Sequence, residues 1–151
     1  MKIAVGSDHA GFDLKKDVLR ILADLGSDAV DCGTYGTESV DYPDFGMKVS
    51  EMVSKGEAER GILICGTGLG MSMVANKFPH VRAALCNELL CARMSRLHND
   101  ANVLVLGGRI IGRDLAAEIV RTWLTTPFEG ERHMRRLNKI TKIEESLNGH
   151  D

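Results

Sequence analysis

The chain has 151 residues, of which 44% are hydrophobic and 26% charged, with a formal charge of −2. This length predicts one domain, residues 1–151, large enough to bury a sizeable core. The absence of a basic block excludes nucleic acid as the main partner, and no apolar run reaches the ~18 residues of a membrane span.

Residues 2–6 read as a buried first strand rather than a signal peptide, so a cytoplasmic protein is expected. Gly6-Ser-Asp-His-Ala-Gly11 follows, then Leu14, Val18, Ile21, Leu22 and Leu25 at helical spacing, with Gly26 as the stop. A short strand at Ala29–Cys32 and a polar loop from Gly33 to Pro43 come next. Asp44 is predicted to cap a second helix whose apolar face is Phe45, Val49, Met52 and Val53, closed by Gly56. The third strand is expected at 61–65, a fourth at Arg82–Cys86 and a fifth at Asn102–Gly107. A helix follows each: one from Ser72, one through Leu89, Leu90, Met94 and Leu97, and one through Leu115, Ile119 and Trp123. A last helix, about 131–147, is mostly charged. Its stripe of Met134, Leu137, Ile140 and Ile143 is too sparse for a core element and is expected to pack on a partner subunit.

Short continuous apolar strands alternating with helices predict an α/β fold, a parallel sheet covered on both faces. In such folds ligands sit at the carboxyl ends of the strands, where Ser7-Asp8-His9, Cys65-Gly66-Thr67 and Asn87-Glu88 are expected to gather.

The stretch from Gly61 to Lys77 carries the strongest chemical signal. Ile62, Leu63 and Ile64 end in Cys65, and Gly66, Gly68 and Gly70 follow at alternate positions. A strand passing through a glycine turn into a helix gathers backbone N–H groups that can hold a phosphate, an enolate or a carboxylate. Cys65 faces the donors that stabilise a thiolate, although a buried structural cysteine is an equally good reading of position alone. The pattern is neither a dinucleotide fingerprint, since it follows the third strand with its third glycine one place early, nor a P-loop, since no Gly-Lys-Ser/Thr ends it.

Cys32, Cys86 and Cys91 have nothing around them to activate a thiol, and the four cysteines form no CxxC pair, so free thiols are expected. No cluster of Cys and His has metal-ligand spacing, so no metal and no cofactor are expected. His98, in Arg93-Met-Ser-Arg96-Leu-His98-Asn99-Asp100-Ala-Asn102, can exchange a proton near neutral pH unaided, or be incidental to a turn. His9 either caps the first helix or sits solvated, or else Asp8 and His9 together hold a sugar hydroxyl and a phosphate. Arg132 and Arg136, four apart on one helix face, read as a solvated basic face or as a phosphate fork, and Arg109 follows the fifth strand.

Taken together, Gly6-Ser-Asp-His-Ala-Gly11, Tyr42-Pro-Asp44, Cys65-Gly-Thr-Gly-Leu-Gly-Met-Ser72, Ala75-Asn-Lys77, Arg82-Ala-Ala84 and His98-Asn-Asp-Ala-Asn102 resemble the type B ribose-5-phosphate isomerases, a family that also holds galactose-6-phosphate isomerase subunits. The resemblance covers essentially the whole chain in order. It implies a three-layer, Rossmann-like sandwich around a five-stranded parallel sheet, in homodimers or homotetramers with active sites at the subunit interface. It also implies roles: Cys65 as the base between C2 and C1, Thr67 as the hydroxyl serving the reacting oxygens, and His98 as the acid that opens the furanose ring. Some members carry the base as a Glu further along the loop. Leu69 stands at that place here, which marks the cysteine type. Asp8, His9, Tyr42, Gly66, Thr67, Gly68, Leu69, Gly70, Asn99, Arg109, Arg132 and Arg136 resemble the substrate-binding set. A six-carbon sugar phosphate, such as allose or galactose 6-phosphate, is the nearest alternative substrate. A non-catalytic sugar-phosphate-binding module is a rival of another class.

Overall fold

In the computed structural model, which describes residues 1–149, strands and helices alternate along most of the chain. The order is β1 (Lys2–Ser7), α1 (Phe12–Asp24), β2 (Asp28–Asp31), α2 (Tyr42–Ser54), β3 (Arg60–Cys65), α3 (Leu69–Ala75), β4 (Ala83–Leu85), α4 (Leu89–Leu97), β5 (Val103–Gly107), α5 (Arg113–Thr125) and α6 (Arg132–Asn148). All strand pairs are parallel, in the order β2-β1-β3-β5-β4. The expected five-stranded α/β sandwich is therefore present. β1, β3 and β5 are apolar and buried on both faces, as a sheet covered by helices on each side requires.

Side chains alternate between two cores. Ile3, Val5, Ile62, Ile64, Leu104 and Leu106 pack with Leu14, Val18 and Leu22 of α1 and with Ile119 and Trp123 of α5. Ala4, Leu63, Val103 and Val105 face Val49 and Val53 of α2 and Met71 and Ala75 of α3. The strand order reverses direction between β1 and β3. That crevice is where an open parallel sheet presents its ligand site.

Two helix starts differ from the sequence expectation. α2 begins at Tyr42 with Asp41 as its N-cap, and Asp44 lies inside the first turn, its N–H donating to Asp41 O at 3.3 Å. Pro43 is the reason: the first turn has no use for the N–H it lacks, so the helix starts before it instead of after it. α3 begins at Leu69, not Ser72, because Gly68 at φ +86° turns the chain within one residue. The fourth strand is also shorter than expected, at Ala83–Leu85.

α6 is bound only lightly to the rest. Leu137 and His133 are buried, while Met134, Ile140 and Ile143 are 44%, 52% and 60% exposed. His80, just before β4, donates its N–H to the Glu144 carboxylate at 3.0 Å, so α6 crosses beneath the amino edge of the sheet.

One buried charge holds the loop after β2. Lys15 is 1% exposed and pairs with Asp31, while its Nζ donates to Thr34 O at 2.6 Å. Removing one partner of such a pair strands the other. Lys15→Met is expected to destabilise the fold by about 2–3 kcal/mol, below the usual range for a buried pair because Asp31 is partly solvated. Urea denaturation of the two proteins measures the difference.

Candidate active site

Two loops end at the crevice between β1 and β3. After β1, Asp8 is buried and its Oδ1 accepts the Gly11 N–H at 3.0 Å. This bond fixes the turn that leads into α1, whose N-cap is Gly11. His9 Nδ1 accepts the Val40 N–H at 3.2 Å. A ring nitrogen that accepts carries no proton, so neutral His9 keeps its proton on Nε2 as a free donor.

After β3, Cys65 is 5% exposed, and the Gly68 N–H donates to its Sγ at 3.2 Å. An anionic sulfur needs such a donor, and the positive φ of Gly68 is what aims the N–H back at it. Thr67 is exposed, and its Oγ1 accepts the Leu69 N–H at 3.2 Å, which leaves its own O–H proton free to donate. Arg109 N–H donates to Gly66 O at 2.9 Å, and a β-carbon on Gly66 would stand 3.6 Å from Arg109 Nη1. The guanidinium therefore lies over the loop. Tyr42 packs against Gly70 so closely that a β-carbon there would come within 2.4 Å of its ring.

Asn87 braces this assembly: its Oδ1 accepts the Gly107 N–H at 2.8 Å and its Nδ2 donates to Thr67 O at 3.3 Å. The expected gathering of Asp8, His9, Cys65, Thr67 and Asn87 at the carboxyl edge is borne out, and Tyr42 and Arg109 join it. The other three cysteines are held as thiols. Burial pushes Cys86 up to about 11 and raises Cys32, and the hydrogen bond to Glu88 raises Cys91.

His98, Asn99, Arg132 and Arg136 lie elsewhere. α4 runs back antiparallel to the strands, so His98, its C-cap, stands at the amino edge. There Arg82 Nε donates to Asn99 O at 3.1 Å, and Asn102 Oδ1 accepts the Arg82 N–H at the start of β4. Arg132 and Arg136 are exposed one turn apart on α6, whose first turn packs on His98. β5 spans five residues, so the Cys65 loop and His98 are separated by about 16 Å along the sheet.

The sequence reasoning missed two residues beside His98. Its ring stacks on that of His133, with centroids 4.2 Å apart and planes 14° from parallel. Glu129 Oε2 lies 3.0 Å from His133 Nε2 and 3.9 Å from His98 Nε2. These three donors are close enough to suggest a cation site. The near-parallel rings argue against one, because their in-plane lone pairs cannot converge on a single ion. Arg132 Nε, 3.5 Å from His133 Nε2, adds a like charge.

A thiol, a free hydroxyl, backbone donors and an arginine around a glycine loop at the switch point of a parallel sheet define an α/β protein equipped for proton transfer on an anionic ligand. Residues 3–140 match the family model described as Ribose/Galactose Isomerase, and the chain belongs to that family. It is 47% identical to ribose-5-phosphate isomerase B of Escherichia coli (strain K12) over 147 residues, 97% of this chain and 99% of the relative. A Clostridium thermocellum ribose-5-phosphate isomerase B structure superposes with TM-score 0.95 at 56% identity, covering 97% of this chain and 99% of that one. The Mycoplasma genitalium ribose-5-phosphate isomerase B structure with bound ribulose-5-phosphate superposes with TM-score 0.92 at 41% identity, over 95% and 96% of the two chains.

Proposed function

We propose that this chain is an aldose–ketose isomerase interconverting ribose 5-phosphate and ribulose 5-phosphate, with residues 1–151 forming a single cytoplasmic sugar-phosphate isomerase domain. The observation that carries the reading is Cys65 Sγ held by the Gly68 N–H beside the free Thr67 hydroxyl and under Arg109. The relatives at 47% and 56% identity, and the ribulose-5-phosphate complex of the Mycoplasma protein, support the choice of substrate.

Ring opening comes first. His98 as imidazolium gives its proton to the ring oxygen while the C1–O4 bond breaks, and the C1 hydroxyl proton leaves to water as the aldehyde forms. The Cys65 thiolate then takes the C2 proton, and the electron pair moves to give a cis-enediolate. The loop N–H groups and the Thr67 hydroxyl stabilise the developing oxyanion, and Thr67 relays a proton between O2 and O1. Return of the proton from Cys65 to C1 completes the ketose. Arg109, Arg132, Arg136 and the His9 Nε2–H fit the phosphate and the far hydroxyls. Each step is served by side chains and backbone donors, so activity is expected to be independent of metal.

His98 and Cys65 stand at opposite edges of one sheet, so we read the working site as shared between two copies, in a homodimer or homotetramer. Exposed Met73, Leu90, Ile140 and Ile143 supply apolar surface for such association.

Purified protein is expected to turn over ribose 5-phosphate equally well with and without a chelator. Its kcat/KM should exceed that for allose 6-phosphate or galactose 6-phosphate. Higher values on the six-carbon sugars would reassign the substrate, and binding without turnover would favour the non-catalytic module.

A further inference from the structure

We propose that Glu129 and His133 are the positioning pair for His98, fixing its ring for furanose opening without touching the substrate. The inference rests on the ring-opening role assigned to His98. A proton donor at the end of a helix is useful only if its ring is held at one angle, because general acid catalysis demands hydrogen-bond geometry to the departing oxygen. His98 is about two-fifths exposed at the C-cap of α4, and its ring has no hydrogen bond shorter than the 3.9 Å approach of Glu129. What holds it is the face of His133.

His133 can serve because it is itself fixed. It is 4% exposed, and its Nε2 lies 3.0 Å from Glu129 Oε2. A carboxylate oxygen only accepts, so this 3.0 Å bond is made with the His133 proton on Nε2, in preference to the longer 3.5 Å approach of Arg132 Nε to the same atom, and it sets the ring plane. Glu129 is fixed in turn through its backbone: its N–H donates at 3.0 Å to the carbonyl of Leu97, the residue before His98. The chain from Leu97 through Glu129 and His133 back to His98 is thus a closed loop of contacts.

The test separates ring opening from proton transfer. Ribose 5-phosphate enters as a furanose, whereas ribulose 5-phosphate, with its C5 oxygen phosphorylated, cannot close one. Exchange of the ribulose 5-phosphate C1 proton with deuterated solvent therefore needs Cys65 but no ring step. In His133→Ala and Glu129→Ala, kcat for ribose 5-phosphate is expected to fall about 10–100-fold with KM nearly unchanged, while C1 exchange stays within about twofold of wild type. Equal loss of both readouts, or unchanged turnover, would overturn the inference. Glu129 is 53% exposed, so its variant folds even if the buried His133 variant does not, and thermal melting checks both. His98→Asn provides the reference. If it fails to separate the two readouts, the ring-opening assignment is wrong and the inference falls with it. If wild type has no turnover, the isomerase reading fails first.

Discussion

Cys65→Ala is expected to lower kcat for ribose 5-phosphate by about 10³-fold or more while leaving the protein folded. Cys65 ends the central strand β3 at the glycine loop, and the Gly68 N–H that reaches its sulfur has no other assigned acceptor. In the proposed mechanism, removing Sγ deletes the base and leaves the loop backbone, Thr67 and Arg109 in place, so KM should change little. The stability cost should be about 1 kcal/mol, since alanine fills most of a small buried thiol's space. Steady-state kinetics, C1 proton exchange and thermal melting together test this. Exchange must collapse along with turnover, in contrast to the Glu129 and His133 variants. Cys86→Ala is the control: its thiol is buried among apolar groups and pushed up to about 11, so it stays protonated and its loss should not slow turnover. A fully active Cys65→Ala enzyme would make Cys65 a structural residue and require another base.

The sheet was legible in the sequence because its strands are unbroken apolar runs. Ile62-Leu63-Ile64 and Val103-Leu104-Val105-Leu106 can be buried on both faces only in a parallel sheet between helices. The Cys65 loop was legible because three glycines after a buried strand have few other uses. Helix starts were less so. Asp41 and Asp44 both suit an N-cap, and only the way Pro43 fits the first turn decides between them. The strand order was not legible either, since nothing local states that β5 lies between β3 and β4.

The contact among His98, Glu129 and His133 joins residues more than thirty apart through tertiary packing, which leaves no periodic trace. Only the four-residue spacing of Glu129 and His133 across the start of α6 offered a hint, and the helix begins after Glu131, so even that pair sits partly outside helical geometry. A residue at the end of the helix between two parallel strands must lie at the amino edge, so His98 and Cys65 cannot meet within one chain.

That separation gives the sharpest test of a shared site. Cys65→Ala and His98→Asn are each expected to be nearly inactive alone. When the two are mixed under conditions that let subunits exchange, half the dimers become mixed ones. In each mixed dimer one site combines the intact Cys65 of one subunit with the intact His98 of the other, and the second site carries both substitutions. Activity should therefore return to about a quarter of the wild-type value per subunit. If each site were built within a single chain, mixing would restore nothing, because every site would still carry one lesion. Light scattering on the unmixed proteins supplies the other arm: a dimer or tetramer is required, and a monomer with full activity would force His98 out of the catalytic reading. The exchange experiment also bears on α6. Its exposed Ile140 and Ile143 follow Arg132 and Arg136 on one face of the helix, so a copy docked on this face would lie beside both arginines. Ile140→Asp is then expected to weaken association and lower activity together, with activity recovering as protein concentration rises.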